Sequence, residues 1–447
     1  TRNRSRFELK PSIFLYVIFG ALCSFYMFWM SAIALMLVMY CFLRYVRVLG
    51  TGFAFAEMIA LIAALQWLLG PLIAFYIGDP HYKFHMYVDE QRYMTFVMPA
   101  MLLFVLGIFW FQPVNHFHKH IELLEIQLRQ SRSYGIPLVL GGLMLDLGAD
   151  YLPGSLAFVG FLVAQFKYVG VLYLLVGRHP YRWHFLVLVL LTTIWLSAES
   201  GMFHNLILWS AFIFSFIAYT LRISHKMKYV VIIIGVVAMV AIQTVKGEYR
   251  ERVAYSSDTP LVLLVDMIFD SESYSKFTSL KEYVTTLNTR LNQGWIISAV
   301  LRNVPERVEH QNGETFIDAV SDSLVPRFLS DKALANVSDN FKKYTGLPLS
   351  DNTSMGVSIL GEAYVNYSLV GGIIFMGFWG LFLSWSLALI LNRSDSVPTI
   401  LLWIPLIFLQ MVKAETEMVV VLNHGVKSVV VVLGFYFVAR KILRLRV

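Results

Sequence analysis

The sequence predicts an all-α polytopic membrane protein of about twelve transmembrane helices, with one large, mainly helical extracytoplasmic loop. Three observations predict it. Hydrophobic residues make up 57% of the 447 positions and charged residues only 15%, with a mean hydropathy of +0.64, which is far too apolar for a soluble domain. Apolar runs close to the ~20 residues that cross a bilayer recur along the chain. The basic residues between those runs fall on alternate turns, as the cytoplasmic bias of Lys and Arg requires.

The apolar windows lie at 11–28, 30–43, 53–77, 94–112, 135–149, 155–176, 184–198, 205–221, 229–245, 365–391, 398–413 and 418–439. With TRNRSRFELK (Thr1 to Lys10) inside, the inside loops are Arg44 to Arg47, Asn115 to Arg132, Gly177 to Trp183, Arg222 to Lys228, Asn392 to Ser396 and the tail from Arg440. Together with the N-terminus these hold roughly 19 of the 36 Lys and Arg, while the opposite turns hold few. Both termini are therefore expected in the cytoplasm and segment 246–355 outside. The chain divides into helices one to nine (1–245), a loop domain (246–364), and the last three helices with a cytoplasmic tail (365–447). The first apolar run leads at once into a second, which reads as a helical hairpin and not as a cleaved signal. Cys23 and Cys41 both fall in apolar runs and suggest neither a disulfide framework nor a metal site. The net charge of +7 is carried by inside loops and calls for no nucleic acid. The mixed charges of 115–132 read as a solvated cytoplasmic helix.

The loop is expected to be folded. Ser271 to Asn288 places Tyr274, Phe277, Leu280, Val284 and Leu287 on one helical face,. Trp295, Ile296, Val300 and Val304 do the same for a second helix, which Pro305 ends. A third runs from about Thr315 to Val325, before Pro326. Such apolar stripes suggest a cap on the bundle or at the membrane interface.

With about twelve Lys and Arg against about fifteen Asp and Glu, the loop is no general basic patch. The positions of its arginines matter more. Arg250 and Arg252 follow a span within two turns, and Arg327 sits after a proline with Lys332 close behind. That depth suits a lipid diphosphate, because the planar guanidinium fork binds two phosphate oxygens and stays ionised. The alternative is a structural network with Glu248, Glu251, Glu306 and Asp331. Glu362 lies where the chain re-enters the membrane, where a carboxylate is costly unless paired or functional. It is the first general-base candidate, against a purely structural hydrogen-bonding role. His310 is the second, against a merely solvated loop imidazole, with Glu314 nearby. Asp146 and Asp150 share one face at a helix end and could act on an acceptor hydroxyl, although helix-end carboxylates are common. No metal-ligand cluster, phosphate-binding glycine loop or nucleophilic triad is visible.

Taken in order, several short motifs carry a family resemblance: KGEYR after a span, Arg290-Leu291-Asn292-Gln293-Gly294-Trp295, NGET at Asn312 to Thr315, VPR with DK between Val325 and Lys332, and GEAYVNYSLVGG from Gly361 to Gly372. Across these residues the chain resembles the Wzy-type polysaccharide polymerases of bacterial O-antigen and capsule pathways. The motifs cover about 125 residues; the other spans match in topology only. One departure is Ala333, where family members often carry proline after the DK pair. The resemblance implies a metal-independent glycosyltransferase of the C type in the bacterial inner membrane, working without a cofactor at the periplasmic or extracellular face. It implies transfer of a glycan from undecaprenyl diphosphate to a sugar hydroxyl of another undecaprenyl-diphosphate-linked repeat unit. Partners would be those lipid-linked oligosaccharides, membrane lipid and a chain-length regulator protein. Arg250, Arg252, Arg290, Arg327 and Lys332 would contact the diphosphate, with Arg327 also catalytic beside Glu362 and His310. Tyr364 and Asn366 of the GEAYVNY motif join Glu314, Asp146 and Asp150 as secondary or acceptor-side residues. The competing functions are an O-antigen ligase-like transferase to another acceptor and a flippase or transporter of lipid-linked glycan.

Overall fold

The computed structural model describes residues 20, 22–78, 84–111, 117–130, 134–148, 151, 153–253, 259–270, 280–324, 337–349 and 353–442. Among these, the regular structure is helical and contains no strand. In chain order the helices are α1 (Trp29–Val48), α2 (Phe55–Tyr76), α3 (Glu90–Ile108), α4 (Phe117–Gln130), α5 (Gly135–Leu147), α6 (Leu156–Val176), α7 (Arg182–Ser200), α8 (His204–Thr220) and α9 (His225–Arg252). Then come α10 (Pro260–Phe269), α11 (Leu280–Leu291), α12 (Gly294–Asn303), α13 (Glu314–Leu324), α14 (Val337–Thr345), α15 (Ser358–Arg393), α16 (Pro398–Ile407) and α17 (Met418–Lys441).

Eight of these, α1, α2, α3, α6, α7, α9, α15 and α17, are long and apolar enough to cross a membrane. Each coincides with a predicted span. The predicted spans 135–149, 205–221 and 398–413 form the shorter apolar helices α5, α8 and α16, and 11–28 lies mostly outside the described residues. In α16, Pro405 removes a helix donor and crowds the preceding turn. There the first six residues wind as a 3₁₀ helix, and the chain passes into turns from Phe408.

One continuous core runs through the bundle from α1 to α17. Its tightest crossing is between α3 and α15, where glycines face each other. A Cβ on Gly107 would sit 2.5 Å from the Gly377 carbonyl oxygen, and one on Gly380 would meet the Phe104 carbonyl oxygen. Small residues at such a crossing let two apolar helices pack backbone to backbone.

The junction of α11 and α12, around Asn292 and Gln293, reaches far along α2. Pro71 has no N–H to offer the Trp67 carbonyl four residues earlier, and α2 opens into a π turn over Leu65–Leu69. In that turn the Gly70 N–H bonds the Leu65 carbonyl, which leaves the Gln66 carbonyl without its usual helical donor. This junction and α3 fill both vacancies. The Gln293 N–H donates to Gln66 O at 3.2 Å, and the Tyr93 hydroxyl donates to Trp67 O at 2.9 Å. Asn288 adds a bond from Nδ2 to Gly70 O at 2.8 Å. Gly294 follows Gln293 because a Cβ there would collide with Pro71 and the Tyr93 hydroxyl. Gln66 lies ten residues before the end of α2, or ~15 Å at the helical rise, so the segment expected to cap the bundle also penetrates it.

Candidate active site

The site forms where α15 begins, at the end of the bundle that also carries Glu90 and Glu417. Ser358 enters α15 at φ 68° and its hydroxyl donates to Ala414 O at 2.6 Å. One turn on is Glu362, one further turn on Asn366, both buried. Before α13 the chain turns through Asn312 at φ 50° and Gly313 at φ 92°. This brings NGET onto GEAYVNY. The Thr315 hydroxyl donates to Glu362 Oε1 at 2.7 Å and accepts from Asn366 Nδ2 at 2.7 Å. Asn366 Oδ1 accepts from the Gly313 N–H at 3.1 Å. The other oxygen of Glu362, Oε2, accepts the Met418 N–H at 2.8 Å. Both carboxylate oxygens are therefore occupied, at 4% exposure.

Two residues after Asn366, α15 leaves helical angles at Ser368 (φ 58°, ψ −163°). At this break the carbonyls of Tyr364 and Val365 accept bonds from the loop. Val365 O takes the Gln311 N–H at 3.0 Å. His310 Nδ1 lies 3.1 Å from Tyr364 O and 3.2 Å from Val365 O. Carbonyl oxygens only accept, so Nδ1 carries the hydrogen and the neutral ring presents an unprotonated Nε2. The Tyr364 ring packs edge-on against the imidazole with centroids 5.5 Å apart, which fixes its plane. His310 is half-buried and so remains open to a ligand.

Two cations reach the residues next to this imidazole. Arg92, at the start of α3, lies beside the Tyr364 hydroxyl. Its Nη2 donates to Leu301 O at 2.6 Å, and both Nη atoms sit 3.3 Å from Glu306 Oε1. From α14, Lys343 Nζ donates to Gln311 Oε1 at 3.0 Å and to the Tyr344 hydroxyl at 3.3 Å. Tyr344 is pushed up to about 12, first by burial and then by the charges of Glu362, Glu417, Glu314 and Asp318. Glu417 is pushed up to about 8, first by burial and then by Glu362.

The fold thus gathers His310, Glu314, Glu362, Tyr364 and Asn366 from the sequence-predicted set. Arg250 lies against the α7–α8 turn at Gly201, and Arg252 pairs with Glu248 on its own helix, one of the pairings that the structural alternative names. Asp146 pairs with Lys167 of α6. Arg290 sits on α11, but its side chain, and Arg327, Lys332 and Asp150 altogether, lie outside the described residues. The sequence reading gave no site role to Arg92, Thr315, Lys343 or Glu417. Arg92 had one usable signal, since it directly precedes the predicted span 94–112 at the end where the loop docks. Among the described residues no three His, Cys, Asp or Glu side chains converge as a metal-ligand set. No family model matches the chain, and no curated protein or solved structure is similar to it.

Proposed function

We propose that this protein is a Wzy-type polysaccharide polymerase with about twelve spans, both termini in the cytoplasm and the 246–364 segment facing the periplasm or cell exterior. It transfers a glycan from undecaprenyl diphosphate to a sugar hydroxyl on another lipid-linked repeat unit. The observation that carries the reading is the docking of Asn312–Thr315 on Gly361–Asn366. Two motifs of the ordered set meet there next to the His310 imidazole, with Arg92 and Lys343 on the adjacent Tyr364 and Gln311.

In this reading His310 Nε2 takes the proton of the acceptor hydroxyl. The oxygen then bonds the anomeric carbon as the bond from that carbon to the diphosphate oxygen breaks. The electron pair leaves on undecaprenyl diphosphate. Arg92 and Lys343 offset the charge that develops there, with Arg250, Arg252, Arg290, Arg327 and Lys332 as further diphosphate contacts. Glu362, with both oxygens engaged, serves first as the anchor that holds the His310 loop; as a base it would have to give up one of those bonds. The protein in lipid nanodiscs, given one undecaprenyl-diphosphate-linked repeat, is expected to produce a ladder of longer lipid-linked glycans. Transfer to a lipid A-type acceptor with no ladder would make it a ligase, and absence of any transfer would refute the enzyme reading.

A further inference from the structure

Glu362 and Glu417 are joined by a reciprocal arrangement that nothing above assigns. Glu417 is the residue before α17, and its Oε1 accepts the N–H of Val357, the residue before α15, at 2.8 Å. Glu362, in α15, accepts the N–H of Met418, the first residue of α17, at 2.8 Å. Each carboxylate therefore caps the start of the helix that carries the other, where free N–H groups and the helix dipole favour a negative group. The side chains are 4% and 1% exposed. Among the described residues neither is ion-paired.

The surroundings supply little compensating charge. From α14, the Tyr344 ring faces both carboxylates, and the nearby Lys343 is committed to Gln311 and Tyr344. From α13 come two further negative groups, Glu314 and Asp318. On the connection before Glu417, Lys413 interacts with Glu415. Two adjacent buried carboxylates without a cation do not both ionise. The hydrogen bonds decide which one holds the proton. Glu362 accepts two short bonds, one from a hydroxyl and one from a backbone N–H. Glu417 accepts one short bond, and its Oε2 has only a 3.3 Å contact from Asn340 Nδ2.

We propose that Glu417 is a positioning residue of the site: it carries the single proton of the Glu362–Glu417 pair, and in that form it lets ionised Glu362 hold the His310–Leu324 segment on the bundle. Loss of that proton to solvent puts two anions at the crossed caps. The repulsion displaces the Glu362 carboxylate from the Thr315 hydroxyl, the bond through which it holds the loop. The inference rests on the proposed transfer reaction for its functional meaning, but the latch itself is measurable without it.

The test is hydrogen exchange of residues 310–324 in the full chain in nanodiscs from pH 6 to 9.5, corrected for intrinsic exchange, beside the pH profile of transfer. Wild type should lose at least tenfold protection in this segment as pH rises through about 8, and transfer should fall over the same range. Glu417→Gln, which fixes the neutral form, should keep protection flat and remove the alkaline fall in transfer. Glu362→Gln leaves a single carboxylate at the crossed caps, so no two-anion state can form and the protection step near pH 8 should disappear; it keeps the test open if Glu417→Gln does not fold. A flat wild-type profile, an unchanged step in Glu417→Gln, or a loop already unprotected in Glu417→Gln at pH 7 overturns the proposal. If the exchange behaves as expected while no variant transfers glycan, the latch stands and the enzyme reading fails. If transfer proceeds with no exchange step, the enzyme reading stands and the latch fails.

Discussion

Thr315→Val isolates the join between the loop and the bundle. Valine matches threonine in shape but removes the hydroxyl that donates to Glu362 Oε1 and accepts from Asn366 Nδ2, each at 2.7 Å. The first bond ends on a buried carboxylate, and leaving such a group short of a donor costs about 1.5–3 kcal/mol. Asn366 Nδ2 retains its second acceptor, Glu362 O at 2.8 Å, so its loss adds little. The expected weakening of loop docking is thus about 2–3 kcal/mol, and at ~1.4 kcal/mol per decade transfer should fall roughly 30- to 100-fold. Thr315→Ser keeps the hydroxyl and should lie near wild type. Single-turnover transfer and hydrogen exchange over 310–324 measure the two consequences separately. If Thr315→Val protects the loop and transfers glycan as well as Thr315→Ser does, the Glu362 anchor does not hold the site together.

Four further outcomes are expected. His310→Ala should reduce transfer on the order of 100- to 10,000-fold while lipid-linked donor still binds; near-normal turnover would remove it as base and return that role to Glu362. Arg92→Ala should reduce turnover about 100-fold, with Arg92→Lys recovering only part because it keeps the charge and loses the fork; equal recovery would argue against diphosphate contact. A Cys at Ser321 should label from outside intact cells, and labelling only after the membrane is opened would reverse the proposed topology. Because the Glu417 carboxyl sits at about 8 against an ordinary 4.5, folding retains a proton that the unfolded chain releases. Its contribution to stability is full below 4.5 and declines as pH rises to about 8, at ~1.4 kcal/mol per unit. Thermal unfolding from pH 5 to 9 should therefore show a shallower slope for Glu417→Gln than for wild type, and identical slopes would contradict the assignment.

The long spans were legible because a bilayer imposes one requirement, about 20 predominantly apolar residues in a row, and α2 and α3 meet it within single runs of sequence. Local punctuation also worked: Pro305 follows the end of α12 at Asn303. The loop helices were legible as amphipathic, but not in depth. A stripe such as Trp295, Ile296 and Val300 looks the same whether it rests on the bundle or is buried within it, and here all three are buried. The signal that could have separated the two is the Gly70–Pro71 pair in the middle of an apolar run. His310 and Glu362 were found because they sit in motifs. Arg92 and Glu417 act at long range, Arg92 through Glu306 at a separation of 214 positions and Glu417 through Val357 at 60, and no local pattern announces such a pairing. Arg250 and Arg252 were grouped with the other arginines because they share a segment, yet α9 continues to Arg252 and carries both on its last turn.

Two irregular points in the bundle share one cause. Non-helical backbone inside an apolar bundle must find hydrogen-bond partners within the protein. At the π turn of α2 the partners are the Gln293 N–H and the Tyr93 hydroxyl; at the Ser368 break in α15 they are His310 and the Gln311 N–H. In both places the loop side of the contact is a polar residue of a sequence motif next to a glycine or a left-handed turn. The loop is therefore no appendage to a finished scaffold, since without it Gln66 O and Val365 O would be buried and lack these donors. It follows that Gly294 and His310 are linked through the same segment although they bond different helices. A side chain at Gly294 would lift the α11–α12 junction from Pro71, and α12, which packs on the start of α15 near Gly361, would carry that displacement toward the imidazole.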